Sequence, residues 1–229
     1  MNVTTRSRPA PRTRRLLSDL ARRRGTLAAV SAALFGIQLD FFALNLALPG
    51  ISRTFTAGAQ AVQWTLSGYM LSLGALFIVG GRLGDILGRR SALLAGCALF
   101  TGTVIGAALA PSLAVLVAFR VLQGAGAGLI FPVGIAAVTN AVPGNGRAKA
   151  LGLTFALANV GTALGPFVGG ALAQGLGWRW IFWTLVPVSG SALVLTLRFV
   201  PQLLVRRGLM KPLSMAADVP AACMAGPGR

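Results

Sequence analysis

LAAVSAALFGIQLDFFALNLALPG, residues Leu27 to Gly50, is apolar over the thickness of a bilayer and yet holds an aspartate, Asp40, well inside it. A carboxylate in hydrocarbon costs several kcal/mol unless it is protonated, paired or hydrated, so such residues usually mark a pathway. Ala33, Gly36, Ala43 and Ala47 share its helical face at spacings of three and four. Small residues let neighbouring helices approach closely, which turns Asp40 toward a helix bundle or a cavity in it. The plainer alternative is a buried aspartate that caps a kink or bonds a neighbouring backbone.

The remaining composition fits a membrane protein. Of the 229 residues 55% are hydrophobic, and they come in long runs. Histidine and glutamate are absent, and the only acids are Asp19, Asp40, Asp85 and Asp218. This leaves no His–carboxylate pair, no working pair of carboxylates and no ligand cluster, so an enzyme, a metal site and a cofactor are not expected. The net charge of +17 is placed for membranes: eight arginines fall in the first 24 residues, and most other cations lie between apolar runs. Nucleic acid is therefore not an expected partner, and the lipid bilayer is. Cys97 and Cys223 imply no disulfide framework. The basic start also resembles a signal peptide, but Leu48-Pro49-Gly50 follows where a small-residue cleavage site belongs, so an uncleaved first span is expected.

Six spans are expected, at about 27–48, 64–83, 91–110, 113–139, 150–174 and 180–200. They divide the chain into a basic tail (1–26), a six-helix membrane domain (27–200) and an irregular tail (201–229). The first tail, the 82–90 and 143–149 loops and the last tail carry most cations and fall on one side. Only Arg53 and Arg179 fall on the other. An all-α bundle with both termini cytoplasmic satisfies the positive-inside rule.

Several stretches ask for more than scaffolding. Span four contains Arg120, and at about 1.5 Å per residue it lies roughly 12 Å below the start of its span, while Asp40 lies roughly 13 Å from the outer end of its own. The charges are opposite and at similar depth; snorkelling to the interface is the alternative for Arg120. Gln123, Gly124, Ala127 and Gly128 share its face. The run Gly124 to Gly128 is no nucleotide loop, because no strand precedes it, and Pro132 is expected to kink the span. Span two ends in Gly80-Gly81-Arg82-Leu83-Gly84-Asp85-Ile86-Leu87-Gly88-Arg89-Arg90. A solvated connector is the plain reading; an Asp85 paired with an arginine or facing a helix N-terminus is the expected one. In span five Gly161, Gly165 and Gly169 recur every fourth residue, with Pro166 and Gly170 beside them, which describes a bent, grooved helix. Span three, with Gly102 and Gly106, reads as scaffold, and Trp178-Arg179-Trp180 as an interfacial anchor. Asn45, Gln123 and Asn159 are the candidate polar contacts for a substrate.

Taken in order, these segments resemble the N-terminal half of a major facilitator superfamily transporter, most closely its fourteen-span drug:proton antiporter branch. Leu39 to Pro49 resembles the branch's first-helix motif, and Gly81 through Arg90 the loop motif between spans two and three. Arg120 with Gln123-Gly124 resembles the fourth-helix motif, Gly161 through Gly170 the antiporter motif, and Trp178 to Phe182 a sequence common before span six. The resemblance implies alternating access in which proton entry drives export of a small molecule. It makes Asp40 and Arg120 the proton-coupling residues, and Gly81, Gly84, Asp85, Gly88, Arg89 and Arg90 a cytoplasmic gate. Gly161, Gly165, Pro166, Gly169 and Gly170 become the antiport packing surface. Ile86 departs from a position that is often basic, and Leu185 from one that is often asparagine.

Nothing after residue 200 is long enough to span again, whereas such transporters have two six-helix halves with the substrate between them. A half-length or truncated transporter is thus expected, completed by a second half-transporter or a homodimer. The competing reading is a six-helix membrane fragment or interaction protein that does not transport. A uniporter or nutrient symporter is disfavoured mainly by the helix-five motif, which rests on analogy.

Overall fold

A computed structural model describes the backbone of residues 11–200 and the side chains of residues 20–200. The expectations for 1–10 and for the 201–229 tail lie outside the described residues. Helices α1 (Pro11–Phe55), α2 (Ala59–Leu87), α3 (Arg89–Ala108), α4 (Leu113–Ala141), α5 (Arg147–Gly175) and α6 (Arg179–Phe199) follow one another, with one 3-10 turn at Gly144–Gly146. All six are long and apolar enough to cross a membrane. The division expected at residue 26 is a change of charge and not of structure. With Pro11 at the first helical position and leucine, alanine and arginine after it, α1 runs unbroken across that point and on through Pro49 to Phe55. Likewise α4 and α5 continue as helix through Pro132 and Pro166.

The six helices form two sets of three. One is built on α1, which packs along α5 and α6; the other is built on α4, which packs along α2 and α3. The sets meet where α1 touches α4 and α3 touches α6, so α1 and α4 are central while α2 and α5 are flanks. The glycines explain how close the central packing is. A Cβ on Gly161 would lie 2.5 Å from the Phe35 carbonyl oxygen, one on Gly165 2.6 Å from the Phe42 Cβ, and one on Gly169 would collide with the Ala43 backbone. The fourfold stripe of α5 is thus a groove filled by α1. On α4, Gly124 and Gly128 face the backbone of α2 at Tyr69 and Leu73, while Gly126 faces Gly96 and Phe100 of α3. Of the expected pair on α3, Gly106 packs against the Phe119 ring, while Gly102 faces open space.

The ends are tied by polar contacts. Gly88, at φ +87°, makes the one-residue link between α2 and α3. At the opposite end Trp178 is buried; its indole N–H donates to Thr54 Oγ1 at 3.1 Å and its ring packs on Phe55 and Phe182. Arg179 lies over the Trp178 ring and donates to the Ala110 carbonyl at 2.9 Å, holding α6 to the end of α3. Trp180, by contrast, is 48% exposed.

Gly165→Leu forces a side chain into the α1 backbone and is expected to lower unfolding stability in detergent by about 2 kcal/mol or more. Gly102→Leu, at an open position, is expected to stay within about 0.5 kcal/mol of wild type. Equal stability of the two variants contradicts the α1·α5 packing.

Candidate functional site

Asp40 enters the bundle on α1 because the small face of that helix is the one buried, from Ala33 and Gly36 to Ala43 and Ala47. Arg120 comes from α4, and both side chains are fully buried. Arg120 Nη1 donates to Asp40 Oδ2 at 2.6 Å and to Gln123 Oε1 at 2.8 Å. Its Nε donates to the Thr65 backbone carbonyl at 3.1 Å, and its guanidinium carbon stands 4.2 Å above the centroid of the Tyr69 ring. The two opposite charges of similar depth form an ion pair, and snorkelling is not the reason for Arg120. Nor does Asp40 serve as a cap, because its bonded oxygen goes to the guanidinium.

The surroundings of the cation are uneven. Thr65 and Tyr69 belong to α2, Gln123 to α4, and only Asp40 to α1. Four buried polar atoms in this cluster have no hydrogen-bond partner: Asp40 Oδ1, Arg120 Nη2, Gln123 Nε2 and Tyr69 Oη. Incomplete satisfaction at this density is costly in a stable core and is concentrated at working sites. Burial and a facing arginine act in opposite directions on the proton affinity of any carboxyl, so such a pair is sensitive to the position of its partner.

Of the three polar candidates, Gln123 alone joins the pair. Asn45 is exposed and donates to the Phe41 carbonyl one turn back at 2.9 Å, and Asn159 is exposed on α5. A different contact links these two helices: Gln38 Nε2 donates to Thr162 Oγ1 at 3.0 Å. Gln38 lies seven residues before Asn45, and Asn159 three before Thr162, so both asparagines share a helix face with this bond. Gln38, Thr162, Thr65 and Tyr69 were not singled out as site residues from sequence. For Tyr69 the available signal was its i,i+4 spacing from Thr65 and its place as the only tyrosine in the chain.

The loop motif resolves into separate jobs. A Cβ on Gly80 would lie 2.8 Å from the Gly128 oxygen, and one on Gly84 2.9 Å from Val133 Cγ2, so these two glycines seat α2 on α4. Gly81 faces open space. Asp85 pairs with Arg89 at 3.8 Å but is 74% exposed, so the acid is solvated and not locked. Arg89 donates to the Ala136 carbonyl on α4 and Arg90 to the Leu197 carbonyl on α6, each at 2.9 Å. Gly81, Gly84, Asp85, Arg89, Pro132, Val133 and Ala136 line a crevice of about 180 Å³. On α6, Leu185 is buried and apolar.

Residues 30–217 match the family model described as Major Facilitator Superfamily. The chain is 39% identical over 178 residues to multidrug resistance protein Stp of Mycobacterium tuberculosis, covering 77% of this chain and 33% of that protein. It is 37% identical over 178 residues to the drug efflux pump JefA of the same organism, covering 77% and 35%. The chain thus spans about a third of the length of these curated relatives. Among solved structures, the proton:xylose symporter XylE superposes with a TM-score of 0.72 at 17% identity, over 80% of this chain and 46% of that one, which establishes the shared fold.

Arg120→Met leaves Asp40 as an unpaired buried charge and is expected to cost about 3–5 kcal/mol of unfolding stability. The double variant Asp40→Leu/Arg120→Met should recover most of that loss in a double-mutant cycle, and Asn45→Ala should change stability by less than about 0.5 kcal/mol. Strict additivity of the two single losses rules out the coupled pair.

Proposed function

The chain belongs to the Major Facilitator Superfamily and is a multi-pass protein of the cell membrane, and from that premise we propose that it forms the N-terminal half of a proton-coupled exporter of small, amphipathic molecules. The observation that carries the proposal is the fully buried Asp40–Arg120 pair at 2.6 Å. A proton on Asp40 removes one charge of the pair and leaves Arg120 with the Thr65 carbonyl, Gln123 and the Tyr69 face. Those groups lie on α2 and α4, so the contact that weakens is the one to α1. Proton entry is thereby converted into a looser junction between the two three-helix sets, and proton release restores it. Substrate binding and protonation compete, because a substrate that draws on Asp40 or Arg120 alters the same pair.

Efflux as the direction of transport is supported by the printed names of the relatives, a multidrug resistance protein and a drug efflux pump. The arginine distribution supports cytoplasmic termini, which places the Gly81–Arg90 motif at the cytoplasmic face as a gate. In this reading Arg89 and Arg90 fasten α3 to α4 and α6 through carbonyls, while the exposed Asp85 is left for a contact that changes during the cycle. The groove of Gly161, Gly165 and Gly169 keeps α5 against α1, with Pro166 and Gly170 beside it, so that α1 and α5 move together. Alternating access needs a second six-helix half, supplied by a second half-transporter or a second copy, which packs beside α2 and α5.

Uptake of a cationic dye into everted vesicles on imposition of a proton gradient tests the proposal. Wild type is expected to concentrate dye, Asp40→Asn to lose gradient-dependent uptake, and Arg120→Gln to fall at least about tenfold at equal protein level. Undiminished uptake by Asp40→Asn removes Asp40 from coupling. No gradient-dependent uptake by the pure chain favours a membrane bundle that does not transport alone.

A further inference from the structure

A second cluster of charge, remote from the Asp40–Arg120 pair, forms only when the helices pack. Thr26 Oγ1 of α1 lies 3.4 Å from the Phe199 carbonyl of α6, and a Cβ on Gly25 would run into the Phe199 ring. The start of α1 and the end of α6 therefore cross there. Arg22, Arg23, Arg24 and Arg198 are all exposed and lie within about one helical turn of this crossing. From α3, Arg90 reaches the same corner and donates to the Leu197 carbonyl at 2.9 Å, while its Nε is buried with no partner. Arg90 and Arg198 thus lie beside the crossing, with Arg22, Arg23 and Arg24 fanned round the adjoining turn of α1. The carboxylates among the described side chains are Asp40 and Asp85, which face Arg120 and Arg89 instead. In the first 24 residues one acid, Asp19, stands against eight arginines.

We propose that this α1/α3/α6 corner is a binding site for the headgroup of an anionic phospholipid. Charge complementarity selects a phosphate, since guanidinium groups recognise phosphate oxygens in fixed, bidentate geometry. The neighbouring surface selects a lipid over a free anion. Val194 and Leu197, three residues apart on α6, are 52% and 50% exposed and run from the arginines into the apolar span. A phosphate at Arg90 and Arg198 thus has an apolar track beside it for its acyl chain. This lies at the height where juxtamembrane cations meet anionic headgroups. The inference does not depend on what the protein transports.

The test uses the full chain in neutral detergent, with native mass spectrometry to count bound lipid and the thermal midpoint as a second readout. The probes are dioleoyl phosphatidylglycerol, dioleoyl phosphatidylcholine and inorganic phosphate. Wild type is expected to bind phosphatidylglycerol at least about tenfold more tightly than phosphatidylcholine and to be stabilised by it. Arg198→Gln should weaken that binding about fivefold, the size expected for one cation at an anionic surface. Arg90→Gln/Arg198→Gln should weaken it further, and Arg147→Gln/Lys149→Gln, which removes two exposed cations in the first turn of α5, should not. If the Arg90 variant fails to fold, Arg198→Gln still decides, because its side chain makes no hydrogen bond among the described residues. Equal binding of the two lipids, an equal loss in the Arg147/Lys149 variant, or equal stabilisation by inorganic phosphate each overturns the proposal.

Discussion

A guanidinium and a carboxylate removed from water inside a helix bundle impose the main constraint on this protein. Each ion carries a desolvation penalty of several kcal/mol, and their attraction offsets it only with good geometry and further hydrogen bonds. The geometry here is short and direct, but the further bonds are shared unequally: Arg120 is well supplied by α2 and α4, whereas one Asp40 oxygen has no partner. A pair built only for stability has no use for that imbalance, since apolar residues of similar volume usually serve as well or better. The proposed proton coupling draws on that imbalance, because neutralising the acid would leave the cation with its partners on α2 and α4.

Close packing makes the arrangement possible. The Thr65 carbonyl and the Tyr69 ring reach Arg120 because α2 lies directly on α4, and α2 can do so because Gly124 and Gly128 offer no side chain at the crossing. The same device on α5 seats α1 at Gly161, Gly165 and Gly169. Each charged residue therefore sits on a helix held by a glycine-lined crossing, the glycines lying on the neighbour α5 for Asp40 and on α4 itself for Arg120. Inside a membrane, where apolar side chains gain little by leaving lipid for protein, such backbone-to-backbone contact is what holds helices together.

The cations show a parallel division of labour. Arg89 and Arg90 each donate to a carbonyl on another helix, Arg179 to one in the α3–α4 connection, and all three fasten the ends of the bundle. Arg22 to Arg24 and Arg198 remain exposed where the first and last helices cross, which makes them an outward-facing surface. One residue type thus serves as buried counter-ion, as helix tie and as candidate lipid contact, according to burial and partner.

Length and hydropathy of the runs were enough to establish six helices, because a bilayer leaves no other way to satisfy the backbone. Burial of Asp40 and Arg120 followed from the cost of charge in hydrocarbon, while similar depth made their pairing possible without requiring it. The sequence could not locate Asn45 and Asn159, since a polar residue on a membrane helix looks alike whether it lines a cavity or bonds its own backbone, as Asn45 does. Nor could it give the separate roles of the loop residues, where Gly84 packs against α4 while Gly81 stays open and Asp85 stays solvated. Local pattern and transfer energy therefore determined which segments span and which charges must turn away from lipid. Only the tertiary structure decided that Tyr69 and Thr65 hold the cation, and that arginines from three distant segments share one corner, because those facts depend on crossing points between helices that no single helix encodes.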